Sequence, residues 1–527
     1  MARTQLFGRI QRAIARARAE LPDAPPPAPR AISRRSALML MAAAAACTPK
    51  ANPNGPGTPG AVAIIGGGTS GLVIAWRLAN AGIACEIFES SGRTGGRMYT
   101  LRNFTPEGHF CELGGELVDS NHEELIKLCG ELGLPIQRLR PADSGASDIY
   151  DVGGKQYLDG DLLDPAGSTG PFIPVAARIA ADQAALLDAD GNWTPRALEL
   201  DGLPLSKYID SLASSTNRWV IDLLKLAYHG EYGIPVDQQS SLNLVDLIGT
   251  DEKSTYQMFG DSDEAHRIQG GSGTLPETLT ERLSVAPLAE RVRINLRHEM
   301  TSIAHGADGF TLTFKNEDKP PVERTFTRVV LALPFTRLRE VKGVGGLGLS
   351  AEKMKAINEL GYGVNSKLMV GTSSRPWTQQ LLGINSPLTG TVYSDRGFQI
   401  IWDTSAGQDG TGGVITNFIT GAPAKTDETS VLTTLEASIK SFSPDLSAAL
   451  TPKVRASFFW PLHPHTKASY SGALAGQYTS YFETAAKPEL NNNLFFAGEH
   501  TSSKSMGFMN GAVEAGERAA KEILAAG

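Results

Sequence analysis

Residues Ala63–Ser90 read AIIGGGTSGLVIAWRLANAGIACEIFES. The apolar run Ala61–Ile65 has the length of a short buried strand. Gly66, Gly68 and Gly71 follow at Gly-x-Gly-x-x-Gly spacing. A helix is predicted next, with Ser70 in its first turn and Leu72, Ala75, Leu78 and Ala79 on one face. A second strand, Ala84–Phe88, ends at Glu89, close to the ~20-residue separation of a dinucleotide-binding βαβ unit. Gly66 permits the tight turn, Gly68 lets backbone approach a pyrophosphate, and Gly71 lets helix and strand pack closely. The helix N terminus favours phosphate charge, and Glu89 suits a ribose hydroxyl pair. An acid there disfavours a 2′-phosphate, but it does not separate NAD from FAD.

The chain has 527 residues, more than one simple core accommodates, so two interleaved domains are expected. A formal net charge of −7 argues against nucleic acid as a partner. Cys47, Cys85, Cys111 and Cys129 form no Cys-x-x-Cys pair, and His463-Pro-His465 lacks a third ligand at metal spacing, so no metal is expected. Before the fold come Arg-rich residues, a Pro-rich break and SRRSALMLMAAAAAC. Twin arginines ahead of a short apolar run ending in small residues read as a twin-arginine export signal. The run Ala37–Ala46 is too short to span a bilayer. Residues 1–57 are therefore assigned to signal and linker, with a periplasmic destination and Cys47 open to lipidation.

The sequence after the second strand, SGRTGGRMYT, carries Arg93, Gly95, Gly96 and Arg97. It resembles the FAD signature of the flavin amine oxidase superfamily, in which such arginines neutralise the pyrophosphate. Next, CELGGELVDSNHEEL resembles the family segment that passes beside the flavin, and Gly114 and Gly115 would allow the close approach, followed by Glu116. Near the C terminus, NNLFFAGEHTSSKSMGFMNGAVEAGERAA predicts a strand, Leu494–Ala497, then Gly498-Glu499, then a helix from about Gly511. It resembles the family's last FAD segment. Carried over, Glu499 contacts the ribityl–pyrophosphate part, and Gly507, Phe508 and Met509 lie at the flavin. Segments 270–283 and 327–338 resemble further FAD-domain elements, with Glu299 or Met300 near the adenine. The resemblance spans about Val62–Leu524 and is weak over 150–260. It implies an α/β fold: a discontinuous Rossmann-like FAD domain (58–150, 265–335, 490–527) interleaved with an α+β substrate domain (151–264, 336–489).

Three residues bear on the reaction. Lys367 lies in an apolar strand-like run, where burying a charge is costly without a partner; related oxidases place a lysine there against a water at the flavin. Trp460 leads to Tyr470, and Tyr470 and Phe508 match the two rings that sandwich the amine in monoamine oxidases. Ser469 stands where mammalian members attach FAD to cysteine, so the resemblance implies noncovalent FAD. The implied chemistry is hydride removal from the carbon bearing a neutral amine, hydrolysis of the imine, and reoxidation by O2 or another acceptor. The alternative is an L-amino acid oxidase. Leu117 stands where many of those relatives carry an arginine, which leaves Arg396 as a candidate for the carboxylate. Glu116 is a candidate for selecting a second positive charge on a diamine. A homodimer is compatible with the sequence.

Overall fold

The apolar run of the opening stretch forms β1 (Val62–Ile65), with all four residues buried. The computed structural model describes residues 61–139, 145–162, 170–248, 250, 258–259, 262–316, 319–378, 381–384 and 387–526. The export segment, residues 1–57, and Cys47 within it lie outside the described residues.

From β1 the chain turns through Gly66–Gly68 into α1 (Thr69–Asn80) and returns as β2 (Cys85–Phe88). Leu72, Ala75, Leu78 and Ala79 are all buried, as the periodicity predicts, and so are Val73 and Ile74. Burial on both sides has a reason: α1 lies between the sheet and the terminal helix. That helix, α2 (Met509–Ala525), approaches so closely that a Cβ on Gly516 would come within 2.8 Å of Val73 Cβ. Three more strands complete the sheet: β3 (Val292–Asn295), β4 (Arg328–Leu331) and β5 (Leu494–Phe496). All pairings are parallel, in the order β5-β4-β1-β2-β3. This is a doubly wound order, and it reverses direction between β1 and β4. Ligands of such sheets bind beyond the strand C termini at that reversal. Gly66 sits there: with φ at +113°, its Cβ position lies 2.6 Å from the carbonyl oxygen of Ala332, just past β4.

Two further sheets build outward. Strands Glu299–Gly306, Gly309–Asn316 and Lys319–Phe326 form an antiparallel sheet whose Phe314 stacks on Phe88 at 4.0 Å. A seven-stranded mixed sheet takes its strands in the order 450–458, 365–372, 413–420, 400–403, 388–394, 147–152, 155–158. Strand Ser147–Val152 pairs in parallel with Leu388–Ser394, so the chain enters this sheet before residue 151. Helices Ile173–Ala184, Pro195–Gly202, Leu205–Ser211 and Arg218–Tyr232 bury their apolar faces in the adjoining core. Among the described residues, no helix is long and apolar enough to cross a membrane.

Candidate active site

The glycine turn brings α1 down onto β1. A Cβ on Gly71 would lie 2.1 Å from the Gly66 carbonyl oxygen, so only glycine fits. The helix opens at Gly68 with no side-chain cap and no acid in its first turn, which leaves its N–H groups and positive end available to an anion. Glu89 folds across the turn: Oε2 accepts the Gly67 N–H at 2.8 Å and Oε1 the Ser91 N–H at 2.7 Å. Gly96, at φ +54°, sets its backbone against Gly68, whose Cα would lie 3.2 Å from an added Cβ. Arg93 donates to the carbonyls of Thr94 and Gly96 and lies 3.7 Å over the Tyr99 ring. No carboxylate among the described residues stands at ion-pair distance from it. An uncapped helix start, a glycine cradle at the sheet reversal and an unneutralised arginine together suit a dinucleotide pyrophosphate.

The two ends of the chain meet here. The Gly498 N–H donates to Ser70 Oγ at 3.1 Å. Arg97 Nη1 reaches Glu499 Oε1 and the Ser469 carbonyl, both at 2.8 Å. The other Glu499 oxygen accepts from Ser471 Oγ at 2.6 Å and from the Gly507 N–H at 2.8 Å. Burial alone would raise the Glu499 carboxyl, but Arg97 and these donors outweigh it and hold it below the usual range. The sequence reading gave Glu499 to the cofactor; its oxygens are directed at protein donors, and it ties three segments together. Gly114 and Gly115 are likewise set against protein: their Cβ positions fall 1.9 Å from the Arg97 carbonyl oxygen and 2.7 Å from Met509 Cγ. Trp460 Nε1 donates to the Leu113 carbonyl at 2.7 Å and steadies the same segment. Met509 opens α2, whose N terminus also lacks a side-chain cap and a first-turn acid. This second uncapped helix start suits the pyrimidine side of a flavin, where negative charge gathers on reduction. The residues present therefore fit FAD. Met300 is buried in the core that holds Phe88 and Phe314, beyond the end of β2.

Lys367 lies in the fully buried strand Asn365–Thr372. Its ammonium donates to the Gly114 carbonyl at 2.8 Å and to Glu116 Oε2 at 2.9 Å. Glu116 Oε1 lies 3.1 Å from Arg267, which also donates to the carbonyls of Thr404 and Ala406. Burial would raise the Glu116 carboxyl, but the two cations prevail and keep it ionised. This corrects one expectation: Glu116 does not await a second substrate charge, because Lys367 and Arg267 already balance it. Arg267 was missed by sequence reasoning. Only the identity of its partner would have revealed it, and the two lie 151 positions apart.

Tyr470 and Phe508 flank Gly507. The Tyr470 hydroxyl donates to the Glu231 carbonyl, and its Cδ2 lies 3.5 Å from the Cβ position of Gly507. The Phe508 ring meets His122 edge to face at 4.9 Å. His122 accepts the Asp119 N–H on Nδ1, which leaves Nε2 to donate to Asp119 Oδ2 at 3.2 Å. Burial pushes this imidazole down to about 4, so it is neutral near pH 7. Ser469 Oγ donates to Asn365 Oδ1 at 2.6 Å. Arg396 forms an ion pair with Asp151 and bonds Ser441, so its charge is already engaged.

A doubly wound sheet with a glycine cradle, closed by a distant Gly-Glu segment and flanked by a buried lysine and two aromatic rings, defines a flavin-dependent oxidoreductase. The family profile described as flavin containing amine oxidoreductase matches residues 69–524. The chain belongs to that family. It is 26% identical to the flavin-containing amine oxidase B of Mus musculus over 495 residues, which covers 88% of this chain and 86% of the relative. Among solved structures, cyclohexylamine oxidase from Brevibacterium oxydans IH-35A superimposes with a TM-score of 0.70 at 20% identity, covering 88% of this chain and 99% of that one. Putrescine oxidase with putrescine bound gives 0.69 at 21% identity, covering 89% and 100%.

Proposed function

We propose that this chain oxidises a primary or secondary amine with noncovalently held FAD, using O2 as acceptor, after export by the twin-arginine route. Bound between the glycine cradle and α2, FAD supplies the two-electron acceptor that turns the amine into an imine, which water then hydrolyses to a carbonyl plus ammonia or an amine. The protein's part is to position and to exclude water. Tyr470 and Phe508 wall the amine on two sides, and their ring faces favour a cation on approach. Lys367, fixed by Gly114 and Glu116, holds a polar hydrogen at the edge of the segment expected beside the flavin. The carrying observation is this juxtaposition of Tyr470, Gly507 and Phe508 with the Arg97–Glu499 knot. Noncovalent attachment is supported by Ser469 at the attachment position and by Cys85, Cys111 and Cys129 all being buried. The cation named for the amino acid alternative, Arg396, pairs with Asp151, which favours the amine reading.

The test is an anaerobic screen of amines and amino acids that follows loss of flavin colour. Bleaching by amines supports the reading, and bleaching by amino acids alone overturns it. For export, changing Arg34 and Arg35 to Lys should strand the protein in the cytoplasm, and unchanged fractionation would remove the signal assignment.

A further inference from the structure

We propose that Arg267, acting through Glu116 on Lys367, is a positioning residue that leaves one buried positive charge in excess behind Gly114 and Gly115 and so makes the flavin easier to reduce. The proposal rests on FAD lying at the glycine cradle and is independent of which amine is oxidised.

Arg267 lies in the strand His266–Ile268, and its side chain is 1% exposed. Nη2 donates to Glu116 Oε1 at 3.1 Å, and Nη1 donates to the carbonyls of Thr404 and Ala406. Its Nε, shut off from solvent, has no partner. Lys367 takes the other Glu116 oxygen at 2.9 Å and the Gly114 carbonyl at 2.8 Å. Its nitrogen stands 5.0 Å from the centre of the Trp402 ring. Among the described residues, no second carboxylate lies at ion-pair distance from either cation. An arginine and a lysine thus share one carboxylate. Burial would raise the Glu116 carboxyl, but the two cations keep it ionised, so the excess is one positive charge. Such an excess away from water is costly and calls for a further negative charge nearby.

Its place indicates which charge that is. Lys367 is bonded to Gly114, and a Cβ on Gly115 would lie 2.7 Å from Cγ of Met509, the first residue of α2. The uncapped start of α2 brings its positive end to the same segment. Both positive sources therefore converge where the pyrimidine side of the flavin is assigned. Negative charge gathers there on reduction, whereas the protein charges stay fixed, so they favour the reduced form over the oxidised one. Lys367 with Glu116 alone would be a neutral pair; the second cation turns that pair into a net charge. Glu112 also feels Glu116, but Thr100 and Ser272 hold it, and it is the same in every variant below.

The test measures the two-electron midpoint potential of the flavin-loaded full chain, by anaerobic equilibration with a reference dye, without amine and at matched flavin content. Arg267→Gln removes the excess charge and should lower the equilibrium constant for reduction at least tenfold, a potential about 30 mV more negative. Arg267→Lys keeps the charge and should restore the wild-type value. Glu116→Gln adds a charge and should raise the constant at least tenfold. The variant Glu116→Leu, Lys367→Met, Arg267→Met carries none of the three charges and should match Arg267→Gln, which decides the question even where Glu116→Gln fails to fold. A merely structural role would not order the variants by charge. A constant unchanged in Arg267→Gln, or lowered in Glu116→Gln, overturns the proposal while FAD uptake leaves the flavin reading standing. A chain that takes up no FAD overturns both.

Discussion

Replacing Glu116 with Gln tests the charge arrangement behind Gly114–Gly115. One carboxylate lies between two cations, 2.9 Å from Lys367 and 3.1 Å from Arg267. The three side chains are 3%, 6% and 1% exposed, so water screens little of the interaction. At an effective dielectric of about 20, charge centres roughly 4 Å apart attract by about 4 kcal/mol per pair. The variant loses both attractions and leaves two cations facing each other. Breaking a buried ion pair by removing one partner costs about 3–5 kcal/mol. The lower end is expected, because Lys367 keeps the Gly114 carbonyl and Arg267 keeps those of Thr404 and Ala406. The measurement is the urea unfolding midpoint, with a loss of about 3 kcal/mol expected. The companion variant Glu116→Leu, Lys367→Met, Arg267→Met removes all three charges together. Such apolar replacements are neutral or stabilising by about 1–4 kcal/mol, and the freed carbonyls take back about 1 kcal/mol each. The triple variant should unfold near the wild type and well after the single one, while losing turnover. If Glu116→Gln unfolded with the wild type, or if the triple variant lost as much as the single, these charges would not form one compensating unit.

Lys367→Met should slow flavin bleaching or reoxidation at least tenfold, about 1.4 kcal/mol of barrier, at matched flavin content; an unchanged rate removes Lys367 from the reaction. Gly71→Ala should abolish FAD uptake and folded yield, because its Cβ would sit 2.1 Å from backbone oxygen. Gly130→Ala, in helix Glu123–Leu132 with nothing within 4 Å, should instead stabilise by about 0.5–1 kcal/mol, and equal behaviour of the two would refute the packing argument. Burial lowers His122 to about 4 and His500 to about 3. The unfolded chain then binds protons first, so stability present above about pH 6.5 is lost as pH falls towards those values, at about 1.4 kcal/mol per pH unit per imidazole. Glu231, raised to about 7, acts in the opposite sense, and its contribution is lost as pH climbs through that value. His500→Leu should remove one proton from the acid-side slope of stability against pH, and an unaltered slope would contradict its burial as a neutral ring.

What the sequence made legible was local. β1, α1 and β2 formed where period and glycine spacing placed them, because a glycine turn restricts backbone that is contiguous in the chain. The terminal strand and helix were legible for the same reason. The helix begins at Met509 rather than near Gly511, since its N-cap position is Phe508, which offers no polar capping signal. The seven-stranded sheet was not legible as a unit. Ser147–Val152 meets Leu388–Ser394 across more than half of the folded chain, and a strand's own residues do not specify so distant a partner. The acids follow the same division. The position of Glu89 was readable, because spacing sets it at the end of β2 beside the turn whose Gly67 N–H it accepts. Glu116 was not, because it looks locally like a solvated charge and is buried only in the fold. Glu116 proves to be neutralised by Lys367 and Arg267. A glycine is constrained by its own backbone, whereas a buried carboxylate is defined by what lies across from it. The glycine turn after β1 is built on the first kind of constraint and the Glu116 charge cluster on the second. Dinucleotide binding was therefore within reach of local spacing, whereas the pairing of Glu116 with Lys367 and Arg267 required the fold.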